Sequence, residues 1–149
     1  MKLSFTLNGS PAEADVPADT LLVDLLRGRG LTGTKEACGV GVCGVCTVLV
    51  NDVPVSSCIY LAACAQDAAV WTVEGLAREE PALVRAFVEQ EGMQCGICTP
   101  GQVVTAAALA RQRPGATDAE IREFQAGNLC RCTGYQTIAA AVRQYLDSR

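Results

Sequence analysis

The 149-residue chain is half hydrophobic and 19% charged, with a formal net charge of −4 and a pI near 4.8. That composition supports a packed core rather than disorder, and the acidic balance without any Lys/Arg-rich run excludes phosphate-backbone binding, so no nucleic-acid partner is expected. Nine cysteines with no histidine exclude Rieske ligation, haem on a histidine, mixed Cys/His zinc fingers and histidine-based acid–base or triad catalysis.

From the start of the chain, alternating Leu3, Phe5 and Leu7 before Asn8-Gly9 predict a strand, a tight hairpin turn and a second strand to about Val16. No apolar h-region or cleavage site precedes them, and no apolar stretch reaches the length of a membrane span; a cytoplasmic chain is expected. Asp19 or Thr20 is expected to cap a helix with apolar face Leu21, Leu22, Leu25 and Leu26, closed by Gly28 and Gly30.

Next comes Cys38-x4-Cys43-x2-Cys46, with Cys58 further on, the plant-type spacing for a [2Fe–2S] cluster held by four thiolates. Gly39, Gly41 and Gly44 let the loop curl and aim N–H groups at sulfur, where inward donors stabilise a negatively charged centre. Thr47–Val50 and Pro54–Ser56 predict a hairpin turning at Asn51-Asp52, with Cys58 just beyond it. A short helical turn is expected over Ile59–Cys64, and a strand over Val70–Val73. Cys64, among alanines, reads as a small buried apolar residue. Trp71 reads as core or interface packing.

From Gly75 the strand signals vanish, and Glu74–Glu80 marks a change of structural class, with Glu79-Glu80 expected as a solvated helix start. Pro81 opens a helix whose apolar face is Leu83, Val84, Phe87 and Val88, ending at Gly92. Thr99-Pro100 leads into a second helix, Gln102 to Arg113, stopped by Pro114-Gly115. Thr117-x-x-Glu120 is a capping box for a third helix ending at Gly127, and a fourth runs from about Gln136 to Asp147. The fold class is therefore α+β: a small β-grasp-like half over residues 1–76, then an all-α four-helix half over 77–149.

The second half carries Cys95-x2-Cys98 and Cys130-x-Cys132 in the connections after its first and third helices. In an antiparallel bundle those connections share one end, which would gather four sulfurs. The alternatives are a zinc-binding structural adaptor, which usually shows two knuckles of paired cysteines, and a thiol–disulfide oxidoreductase using Cys95 and Cys98. The first set lacks the two-knuckle form, Cys130-x-Cys132 is tight for a knuckle, and no thioredoxin-like βαβ pattern is present. A disulfide framework is disfavoured by a reducing compartment and by the odd cysteine count.

With both sets in view, the sequence resembles the small iron–sulfur subunit of the molybdenum hydroxylases, the xanthine dehydrogenase and aldehyde oxidase family. The stretches that carry the resemblance are Leu31-Thr32-Gly33-Thr34-Lys35, Cys38-x4-Cys43-Gly44-x-Cys46-Thr47-Val48, Gln94-Cys95-Gly96-x-Cys98-Thr99-Pro100-Gly101 and Gly127-Asn128-Leu129-Cys130-Arg131-Cys132-Thr133-Gly134-Tyr135. The resemblance implies a plant-ferredoxin-like N-terminal domain and a C-terminal four-helix domain. It assigns Cys38, Cys43, Cys46 and Cys58 to one [2Fe–2S] cluster and Cys95, Cys98, Cys130 and Cys132 to another. It also implies a large subunit with a molybdenum–molybdopterin cofactor, contacted by Gln94 and Cys132, and a medium subunit with FAD, in a heterotrimer or a dimer of heterotrimers. Electrons from the hydroxylation of a purine-like heterocycle or an aldehyde would pass through the C-terminal and then the N-terminal cluster to the flavin. A carbon monoxide dehydrogenase-type small subunit is the runner-up within the family. Ala37, Val42 and Val45 make the first cysteine loop more apolar than the family's usual pattern, and its valines are candidate contacts for the flavin subunit.

Overall fold

The computed structural model describes residues 1–149, in which a five-stranded mixed sheet is followed by a cluster of helices. Strand β1 (Lys2–Leu7) turns at Asn8-Gly9, both at positive φ, into β2 (Ser10–Asp15). Helix α1 (Leu22–Gly28) follows, and the hairpin β3 (Thr47–Val50) and β4 (Val53–Ser56) turns at Asn51-Asp52, again at positive φ. Strand β5 (Ala69–Trp71) completes the sheet in the order β2-β1-β5-β3-β4, with β1 and β5 parallel and the other pairs antiparallel.

Beyond the sheet lie α2 (Val73–Glu79), α3 (Pro81–Glu89), α4 (Thr99–Gln112), α5 (Asp118–Gln125) and α6 (Gln136–Asp147). The four expected helices are present, with α2 as an addition in the segment read as a change of class. Its one fully buried large side chain is Leu76, too little for a helical stripe to show in the sequence. The α3 face also differs: Val88 is exposed and Ala86 takes a buried place beside Leu83 and Phe87.

Three further expectations are corrected. Neither Asp19 nor Thr20 caps α1, because backbone pairing holds this end: Leu22 N–H donates to Tyr60 O at 2.8 Å and Ala62 N–H to Thr20 O at 2.8 Å. Cys64 is exposed, since a 3₁₀ turn over Ala62–Ala65 has three residues per turn and turns Ala62 and Ala65 to the core. Glu80 is not solvated: its carboxylate takes Arg111 at 2.7 Å and the Tyr145 hydroxyl. Arg111 also lies over Trp71, 5.6 Å from the ring centroid, so Trp71 packs where sheet and helices meet.

Strand β3 joins the two halves. All four of its residues are buried, because both faces of the sheet are covered here. Val48 and Val50 pack with Leu22, Leu26 and Val70 in the N-terminal core, whereas Leu49 belongs to the core of α2–α6 with Leu76, Phe87 and Leu109. Burying a leucine at such a seam is worth about 1.5–3 kcal/mol.

The expected capping box is present at α5: Glu120 N–H donates to Thr117 Oγ1, and Thr117 N–H to the Glu120 carboxylate at 2.8 Å. Thr117→Ala should cost about 1 kcal/mol. Thermal unfolding should then show a Tm lower by about 2–4 °C; an unchanged Tm would mean that α5 is held by packing alone.

Candidate metal centres

The first cysteine group is built on the loop between α1 and β3 and on the residue two past β4. Cys46 and Cys58 are buried against Val23 of α1, with Leu21 and Cys38 packed beside them. Cys38 and Cys43 are partly exposed. The second group comes from the α3–α4 and α5–α6 connections, where Cys98 is buried, Cys130 half-buried, and Cys95 and Cys132 exposed.

Within each group the sulfurs lie close to one another, and in the second group Cys130 is also near Cys95 and Cys132. Cys38 lies against Cys43 and Cys46 against Cys58, with Cys38 also close enough to Cys58 to repel its thiolate. In the second group Cys132 and Cys95 are 3.4 Å apart, and Cys98 lies against Cys130. Four sulfurs gathered in each group are the donor set a [2Fe–2S] cluster takes from four thiolates.

The backbone around the sulfurs stabilises thiolate. The N–H groups of Val40, Cys43 and Val42 and the Cys43 thiol hold Cys38 down at about 6, and the Ile97 N–H, then Cys132, lowers Cys95. Burial raises Cys130, but Thr133 outweighs it: its hydroxyl at 3.2 Å and N–H at 3.5 Å bring that thiol to about 7. In the other direction, burial and the Cys46 thiol push Cys58 up to about 11. Burial and Cys130 push Cys98 up to about 12, and Cys95 raises Cys132. Each group thus presents a ready thiolate beside thiols whose protons leave as metal binds.

The structure brings together all eight expected ligand cysteines in their two groups and leaves Cys64 outside both. Gln94 is exposed at the rim of the second group, next in sequence to Cys95. Val42 is 65% exposed, whereas Val45 is 5% exposed, so Val45 is unavailable to a partner. Two contacts to the second group have no expected counterpart: Thr133 donates to Cys130, and the Tyr135 hydroxyl accepts the Cys130 N–H at 3.0 Å. The signal for the first is Cys-x-x-Thr, a spacing that lets a hydroxyl reach back three residues.

The family model for the 2Fe-2S iron-sulfur cluster binding domain matches residues 5–76, and that for the [2Fe-2S] binding domain matches residues 72–143. The chain is 45% identical to the nicotinate dehydrogenase small FeS subunit of Eubacterium barkeri, over 97% of this chain and 94% of that protein. It is 45% identical to the xanthine dehydrogenase iron-sulfur-binding subunit of Escherichia coli O157:H7, over 92% of this chain and 89% of that one. A chain of quinoline 2-oxidoreductase from Pseudomonas putida 86 superposes with a TM-score of 0.93 at 42% identity, covering 99% of this chain and 94% of its own length. With one [2Fe–2S]-binding domain of each kind in series, the chain belongs to the small iron–sulfur subunits of the molybdenum hydroxylases, the family of xanthine dehydrogenase and aldehyde oxidase.

Proposed function

We propose that Cys38, Cys43, Cys46 and Cys58 hold one [2Fe–2S] cluster, that Cys95, Cys98, Cys130 and Cys132 hold the other, and that the chain relays electrons within a molybdenum hydroxylase. The observation that carries the ligand assignment is the gathering of four cysteines in each of two groups, one in each stretch matched by a [2Fe–2S]-binding family model, since a [2Fe–2S] cluster takes four thiolates. When bound, each cluster supplies a one-electron site. The chain's own residues do the rest: N–H donors and Thr133 offset negative charge on sulfur, and Val23 with Leu21 shields Cys46 and Cys58 from water.

The direction of flow is the one the family resemblance implies, from the C-terminal cluster to the N-terminal one. Cys95 and Cys132 lie at the surface with Gln94, Met93 and Ile97 around them, and this rim is the face toward the molybdopterin of the large subunit, contacted by Gln94 and Cys132. Cys98 and Cys130 face inward. The N-terminal group has its own exposed apolar rim of Val40, Val42, Ile59 and Leu61, the face toward the FAD-carrying medium subunit. Residues 1–76 and 77–149 are two cluster domains, ferredoxin-like and four-helix, and the complex is a cytoplasmic heterotrimer or dimer of heterotrimers. No helix is long and apolar enough to cross a membrane. The large subunit selects the substrate, a purine-like heterocycle or an aldehyde.

Metal analysis of the purified chain tests the assignment. It should contain about four irons and about four acid-labile sulfides, with red-brown absorption and two electron paramagnetic resonance (EPR) signals on partial reduction. A colourless, zinc-loaded chain would overturn it.

A further inference from the structure

The two cysteine groups are tied by a backbone hydrogen bond: Leu129 N–H donates to the Cys43 carbonyl at 2.9 Å. Leu129 immediately precedes Cys130. A continuous route therefore runs from the Cys130 sulfur through its own backbone to Leu129, across one hydrogen bond, and through Cys43 to its sulfur. Every other link in that route is covalent.

The neighbouring Asn128 holds this contact in place. Its amide nitrogen donates to Gly44 O at 2.8 Å and to Thr47 Oγ1 at 3.1 Å, while its Oδ1 accepts from the Thr105 hydroxyl at 2.8 Å. Its backbone carbonyl accepts from Gln102 Nε2 at 2.6 Å. Asn128, Thr105, Gln102 and Thr47 are all buried. Four buried polar side chains are costly unless their partners are in place, and a network with this much pairing fixes one relative position of its parts. The parts here are the Cys43–Thr47 segment, α4 and the α5–α6 connection. A short side chain with two donors and one acceptor meets the demand; an aspartate would set an acceptor against Gly44 O.

We propose that Asn128 is a positioning residue for electron transfer between the clusters, keeping the Leu129 N–H on the Cys43 carbonyl; this rests on the two-cluster reading above. One electron leaves the C-terminal cluster, which is oxidised by one, and enters the N-terminal cluster, which is reduced by one. No bond forms or breaks and no proton moves.

The test compares Asn128→Ala with Thr105→Val, which removes only the hydroxyl that orients the Asn128 amide. Arg111→Met is the control: Arg111 ties α4 to Asp52 of the β3–β4 turn at 2.6 Å, so it links the same two halves away from the cysteines. The assembled complex receives one electron from a photoexcited deazaflavin, and freeze-quench EPR follows its redistribution between the two signals. Asn128→Ala should slow redistribution about tenfold, within the ~10²-fold that an ångström of misplacement costs a positioned reaction. Thr105→Val should slow it less, Arg111→Met not at all, and both potentials should stay at wild-type values. An unchanged rate in both variants, or equal slowing in Arg111→Met, overturns the role of Asn128. A wild-type complex without two [2Fe–2S] signals overturns the cluster reading instead, and the two failures are distinguishable. If Asn128→Ala fails to assemble, Thr105→Val decides.

Discussion

Cys43→Ala should remove one of the two EPR signals and about half the iron and sulfide, leaving the other signal in place. Alanine is the informative replacement because a serine oxygen could still approach iron. The lost signal is that of the N-terminal cluster, where removing one of four thiolates leaves Cys38 without its pair. The other group survives because its four cysteines come from the α3–α4 and α5–α6 connections, and Cys43 touches that region through its carbonyl, which alanine retains. The hydrogen bond from Leu129 therefore persists, and so does the buried network around Asn128. In the assembled complex, substrate should still reduce the C-terminal cluster while the flavin stays oxidised. Because a bound cluster contributes folding energy directly, the N-terminal half should also become more sensitive to proteolysis. If both signals vanished together, the halves would load as one unit, and the picture of two separately ligated sites would fail.

What could be read from the sequence was local. Asn8-Gly9 and Asn51-Asp52 announce hairpins because those residues tolerate positive φ, and Thr117-x-x-Glu120 announces α5 because a capping box needs only four residues. Within each short run the cysteines were legible for the same reason. Joining Cys58 to the first run and Cys130-x-Cys132 to Cys95-x2-Cys98 took the expected topology: the strand end beside the loop and the shared end of the helices. What escaped depends on residues far apart in the chain. Backbone groups of Tyr60 and Thr20 displaced the expected side-chain cap of α1. Glu80 looked like a solvated helix start until Arg111 and Tyr145 closed over it. The seam itself had one sequence cue, the unbroken run Thr47-Val48-Leu49-Val50. A strand covered on one face alternates, whereas one covered on both does not. Asn128 had no cue of its own, since a lone asparagine before a cysteine pair is more often a turn residue than the centre of a buried network.

The same seam sets the second large effect, on Gly44→Ala. Gly44 has φ +69, and a Cβ there would lie 2.4 Å from the Gly127 carbonyl, 2.7 Å from the Asn128 amide nitrogen and 2.9 Å from Asn128 Cα. Two of these three atoms are backbone and cannot swing aside. From the other side, Gly101 of α4 faces Gly44 O, where a Cβ would come within 2.3 Å, so both chains are already at closest approach. Alanine at 44 must take an unfavourable left-handed conformation, at about 1–2 kcal/mol. It must also push Gly127-Asn128 away, stranding buried polar groups at about 1–3 kcal/mol each. With one such group stranded the sum is about 2–5 kcal/mol, a Tm lowered by roughly 10 °C for a chain of this size. Gly39 separates the two contributions. It has a similar φ of +65, but a Cβ there meets only the Glu36 carboxylate at 3.6 Å. Gly39→Ala therefore carries the conformational cost alone, about 1–2 kcal/mol. Thermal unfolding of the cluster-loaded chain should rank wild type above Gly39→Ala and Gly39→Ala well above Gly44→Ala. Equal losses in the two variants would show that backbone conformation, and not the fit of the cysteine loop against Gly127-Asn128, holds the two halves together.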